Sequence, residues 1–132
     1  MSDTNRFRIV IDVDGTLAEL KPPGKSYADL APKPEIVEKL REYRAQGFYI
    51  VVFSSRNMRT YANNVGLLQA NTLPVMLDWL KEHDIPFDEI HVGKPWCGFD
   101  GFYVDDKAIR PDEFAKLSYE EIMALVGGSE PK

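Results

Sequence analysis

Cysteine and histidine are scarce in this chain, and long apolar runs are missing. One cysteine, Cys97, among 132 residues excludes an internal disulfide framework and any zinc site built from cysteines alone. The two histidines, His83 and His91, do not stand at ligand spacing, so neither reads as a metal ligand. The longest aliphatic–aromatic run, Phe48 to Phe53, is far below the ~20 residues needed to cross a bilayer. Residues 1–6 lack the apolar stretch of a signal peptide. Basic side chains are the minority, 16 against 21 acidic for a net charge of −5, which argues against a nucleic-acid backbone as partner. These deficits predict a cytoplasmic protein that engages neither nucleic acid nor membrane. What is present, 44% hydrophobic and 28% charged residues, is the balance of a soluble globular chain. The length predicts a single domain over 1–132, with flexible ends at 1–6 and 127–132.

Apolar runs and helix signals alternate. Phe7–Ile11 reads as a first strand, Phe48–Phe53 as a second, Ile90–Val92 as a third and Gly101–Val104 as a fourth. Pro34 opens a helix with Ile36, Val37, Leu40 and Tyr43 at helical spacing, and Gly47 stands where a helix C-terminal glycine belongs. Residues 18–33, rich in proline, read as a loop, and residues 57–70 as a short helix and a loop. Thr72 is the expected cap of a helix carrying Val75, Met76, Trp79 and Leu80. Ser118 and Glu121 form a capping box for a last helix. The alternation, with strands apolar throughout, predicts an α/β domain with a mostly parallel sheet covered on both faces.

In such sheets ligands bind beyond the carboxyl ends of the strands. Strand one runs into Asp12 and Asp14, strand two into Ser54 and Ser55, strand three into Lys94, and strand four into Asp105 and Asp106. Each is ordinary alone: an Asp can open a turn, a Ser can cap a helix, a Lys can sit in solvent. Together, four carboxylates in one region would repel and hold protons unless a cation sat among them. Oxygen ligands of this kind suit Mg²⁺ better than zinc. A carboxylate nucleophile, a second carboxylate for acid–base work and an ammonium for the phosphoryl oxygens make up a phosphoryl-transfer set. Gly15 permits a tight turn that brings backbone N–H groups near the phosphate.

Asp12-Val13-Asp14-Gly15-Thr16, Ser54, Lys94 and Asp105-Asp106, in that order, resemble the four motifs of the haloacid-dehalogenase (HAD) superfamily. The resemblance implies a Rossmann-like three-layer α/β/α fold, with Asp12 as nucleophile and Asp14 as general acid/base. It implies phosphoryl binding by Ser54 and Lys94, with Ser55 beside them. Mg²⁺ would be held by the Asp12 carboxylate, the Asp14 carbonyl and a motif-four carboxylate: Asp105 directly, Asp106 through water. Residues 92–99 and 103–109, with Asn63-Asn64-Val65-Gly66, are similar to small HAD proteins of capsular polysaccharide biosynthesis. That implies a phosphatase acting on a sugar phosphate or related small metabolite. Residues 17–33 and 57–91 leave no room for a cap domain, so the resemblance is to the capless type, whose open site a second copy in a homo-oligomer would cover.

Arg56 could reach a second anionic group on the substrate, Trp96 and Cys97 could line the pocket, and Lys25 could swing over the site. Two other classes differ from this pattern. A signalling receiver module places its lysine last, whereas Lys94 precedes Asp105-Asp106. A catalytically idle fold serving as a scaffold in the same pathway would not need a competent residue at every key position.

Overall fold

Arg8–Ile11 forms β1, as its β-branched centre predicts, and pairs in parallel with β2 (Tyr49–Ser54), from Arg8 opposite Tyr49 to Ile11 opposite Val52. On its other side β2 pairs in parallel with β3 (Glu89–Val92), from Val51 opposite Glu89 to Ser54 opposite Val92. The order is β1-β2-β3. The computed structural model describes residues 5–127, so most of the two ends expected to be flexible, 1–4 and 128–132, lies outside the described residues. The chain divides into two compact units, Met1–Trp96 and Cys97–Lys132.

The sheet belongs to the first unit. Ile50, Val51 and Val52 are all buried, so both faces of the central strand are covered, which is why β2 is apolar throughout rather than alternating. At the edge, β1 buries Ile11 but leaves Val10 62% exposed. Between β1 and β2 runs α1 (Pro34–Ala45), started by a proline that loses nothing at a position without an intrahelical donor and buried along Ile36, Val37, Leu40 and Tyr43. It stops as the glycine predicts. Gly47 takes φ 95°, its N–H donates to Arg44 O and that of Phe48 to Tyr43 O, while the Tyr43 and Phe48 rings meet edge-on at 4.8 Å.

The second crossover differs from expectation. It begins at Val65, capped by Asn64 Oδ1 accepting from Leu67 N, and runs through α2 (Val65–Leu67), a wide π turn (Leu68–Thr72) and α3 (Leu73–Glu82). Thr72 therefore lies inside the helical run rather than capping it, and its hydroxyl donates to Asn57 Oδ1 at 2.8 Å. Pro74 has no N–H for the carbonyl four residues back, which accounts for the looser turn before it. Arg41 of α1 donates to His83 O and Asp84 O just past α3, which ties the two crossovers together.

The loop between β1 and α1 is ordered. Glu19 N donates to Ala31 O, Lys33 N to Leu17 O, and a 3₁₀ turn occupies Tyr27–Asp29. Buried Leu17, Ala18 and Leu30 anchor it, and Trp79 Nε1 of α3 donates to Leu30 O at 2.8 Å. This loop and the α2–α3 run occupy most of residues 17–33 and 65–82.

In the second unit the expected fourth strand is absent. Gly101–Val104 pairs with no strand among the described residues, and Val104 is 87% exposed. The chain instead folds back on itself: Gly98 takes φ 80°, and a Cβ at Gly101 would collide with the Cys97 carbonyl oxygen. Two helices follow, α4 (Pro111–Lys116) and α5 (Tyr119–Val126). The six residues of α4 are too few for a readable period. The Ser118–Glu121 capping box of α5 forms in both directions, at 3.1 and 2.8 Å. The fold is thus α/β, a parallel open sheet flanked by helices in a Rossmann-like core. Among the described residues no helix is long and apolar enough to cross a membrane.

Candidate functional site

Parallel register aligns the carboxyl ends of all three strands, so Asp12, Ser54 and Lys94 emerge on one edge, and Lys94 N donates to Ser54 O at 3.1 Å. The turn after β1 is closed by Thr16 N and Ala18 N on Val13 O, and by Gly15 N on Ala18 O. Gly15, at φ 84°, is what lets the chain reverse there. Its N–H and that of Thr16 are engaged inside the turn, so the part of Gly15 seen here is the backbone conformation that the sequence assigns it.

Asp12 faces a different group at each oxygen. Thr16 Oγ1 donates to Oδ2 at 3.2 Å, and Lys94 Nζ stands 4.0 Å from Oδ1 while lying 5.9 Å from the Phe53 ring centre. Burial pushes the Asp12 carboxyl above the ordinary carboxylate range, with a further push from Asp14, and outweighs the opposing pull of Lys94, the Val13 N–H and Thr16. The unfolded chain therefore releases this proton at lower pH than the folded one, and between the two values the folded state binds more protons. Asp12 thus contributes stability that is lost as pH rises through that window. In metal-free urea titrations from about pH 4 to about pH 8, wild type is expected to lose stability relative to Asp12→Asn as pH rises; parallel curves would exclude this.

Asp14 meets a different cation. Arg56 Nε and Nη2 donate to its Oδ2 and Oδ1 at 3.0 and 2.8 Å. The arginine side chain is only 1% exposed, with its guanidinium 4.1 Å from the centre of the Tyr27 ring. Arg56 N also donates to Ser54 Oγ at 3.0 Å. Arg56 is therefore a buried partner of Asp14, not the outward-reaching substrate contact that its sequence position suggested. Ser54 is buried, and a hydroxyl that accepts one bond still has its own proton to give. Ser55 is half-buried, its carbonyl accepting from Met58 N. Trp96 is partly exposed beyond Lys94. Lys25 pairs with Glu19 at 2.8 Å, both side chains partly exposed.

The structure thus unites Asp12, Asp14, Ser54 and Lys94, as expected, and adds Thr16 and Tyr27. The position of Thr16, four residues after Asp12, was a usable signal; nothing local marks Tyr27. Asp105 and Asp106 belong to the second unit, in an exposed turn where Asp105 Oδ1 accepts from Lys107 N. Among the described residues no three His, Cys, Asp or Glu side chains gather into a metal-holding group. Of the ligands the resemblance implies, the first unit holds the Asp12 carboxylate and the Asp14 main-chain carbonyl. Hard oxygens are the donor type that Mg²⁺ takes, with water and phosphate in its remaining positions.

No protein-family model matches the sequence, and no curated protein matches it. The chain is similar to a target protein from Vibrio cholerae of known crystal structure: 48% identity, covering 91% of this chain and 96% of that one, with a TM-score of 0.87. Identity at that level over nearly the whole of both chains places this protein in the same family as the Vibrio cholerae protein.

Proposed function

We propose that the protein is a Mg²⁺-dependent phosphomonoesterase of the HAD superfamily, acting on a small phosphorylated metabolite such as a sugar phosphate. One observation carries the reading: the Asp12 carboxylate stands at the end of β1 with one oxygen held by Thr16 and the other 4.0 Å from Lys94, and Asp14 lies two residues on. Asp12 attacks phosphorus, forming an aspartyl phosphate as the P–O bond to the leaving group breaks. Asp14 gives its proton to the leaving oxygen, then takes one from the water that hydrolyses the intermediate. Lys94 and the Ser54 hydroxyl hold the phosphoryl oxygens throughout. When bound, Mg²⁺ supplies positive charge against the phosphoryl oxygens and favours the ionised form of Asp12.

A generic aryl phosphate provides the first test. Its hydrolysis is expected to stop in excess EDTA and to return with added Mg²⁺; turnover that persists in EDTA overturns the metal requirement. The resemblance makes Asp105 the direct ligand and Asp106 one acting through water. It predicts that Asp105→Asn raises the Mg²⁺ concentration needed for half-maximal rate more than Asp106→Asn does. A panel of sugar phosphates, polyol phosphates and nucleotides then ranks substrates.

A further inference from the structure

We propose that Arg56 is a positioning residue that sets the Asp14 carboxylate for proton transfer, and that Tyr27, from the loop between β1 and α1, fixes Arg56 in turn. The inference rests on the phosphatase reading and assigns roles to two side chains that this reading leaves without one.

A carboxylate has about four lone-pair sites on its two oxygens. The fork from Arg56 occupies one on each oxygen, at 3.0 and 2.8 Å, and so fixes the plane of the group while leaving the others available. The fork is itself immobilised on three sides. Its backbone N–H is tied to Ser54 Oγ, its guanidinium lies over the Tyr27 ring at 4.1 Å, and its side chain is 1% exposed. Stability alone is a poor reason for burying such a pair, since apolar residues of similar volume commonly do as well or better. The arrangement is not even fully satisfied: Arg56 Nη1 is buried with no hydrogen-bond partner among the described residues. Geometry at Asp14 is what the pair secures. Tyr27 brings the ordered loop into the chemistry, because its ring covers the face of the guanidinium.

The test exploits the leaving group. A nitrophenolate departs without a proton, whereas an alkoxide needs one, and kcat/KM covers the steps through departure. Wild type, Arg56→Lys, Asp14→Asn, the double variant and Tyr27→Leu are compared on p-nitrophenyl phosphate and glycerol 2-phosphate. Arg56→Lys is expected to lower kcat/KM on the alkyl ester about 100-fold more than on the aryl ester, the range general acid catalysis supplies. In the Asp14→Asn background it should cause no further selective loss. Tyr27→Leu should show the same selectivity at about threefold to fivefold, and it decides the matter if circular dichroism shows that Arg56→Lys is unfolded. An equal loss on both esters, or full additivity with Asp14→Asn, overturns the inference, because a residue gripping the shared phosphoryl group would act in that way. Wild type that hydrolyses neither ester overturns the phosphatase reading itself, a result distinct from the first two.

Discussion

Asp12→Asn is expected to reduce phosphate-ester hydrolysis by about 10⁴-fold or more, the scale on which removing a nucleophile acts. The substitution keeps the size and shape of the side chain and removes only the anion, so the turn after β1, closed by Thr16 N and Ala18 N on Val13 O, stays intact. Loss of activity with an unchanged fold is the signature to seek. Steady-state rates on an aryl phosphate measure the first part, and circular dichroism with urea unfolding the second. Retained turnover would exclude Asp12 as nucleophile. A wild type that accepts a phosphoryl group from a small donor and holds it without turnover would point instead to a receiver-like module. The variant is also expected to be the more stable protein at neutral pH, since burial already disfavours the Asp12 anion. Activity and stability then pull in opposite directions at one residue, as they commonly do in a site arranged for chemistry.

Trp79→Ala should be the most damaging single change to the fold. The indole is 1% exposed, and its Nε1 donates to Leu30 O at 2.8 Å. Truncating a buried tryptophan costs about 3–5 kcal/mol, against the ~5–15 kcal/mol total of an ordinary domain. Trp79→Phe keeps most of the volume but leaves the Leu30 carbonyl unpaired, for a loss of about 1–3 kcal/mol. Urea unfolding of the two variants separates cavity from hydrogen bond; a Trp79→Phe variant as stable as wild type would show that the bond contributes nothing. Because Leu30 lies three residues from Tyr27 in the same loop, the alanine variant is also expected to disturb the covering of Arg56, with some loss of activity below the unfolding transition.

Legibility varied from element to element. The α1 terminus was readable to the residue, because a glycine at position 47 and aromatic residues at 43 and 48 make a local motif that needs no distant partner. The α5 capping box was readable for the same reason. Thr72 reads as a cap in the sequence because its hydroxyl can serve a helix start or a distant acceptor, and Asn57, three residues beyond β2, takes it. Gly101–Val104 has the composition of a strand, yet a strand exists only where a neighbour supplies a ladder, and no described residue does so.

At the site the division is the same. By itself the sequence determined that Asp12, Asp14, Ser54 and Lys94 follow strand ends, and hence that a parallel sheet would bring them to one edge. It determined Gly15 as the residue that lets the first turn close. Only the tertiary structure decided that Arg56 is buried against Asp14 beneath Tyr27, that Thr16 holds one oxygen of Asp12, and that burial outweighs Lys94 in setting the Asp12 proton. Backbone periodicity and turn chemistry act over a few residues and can be read in order along the chain. An ion pair between residues 14 and 56, or the dielectric surroundings of one carboxyl, depends on what the fold packs beside it, and that is a property of the assembled unit.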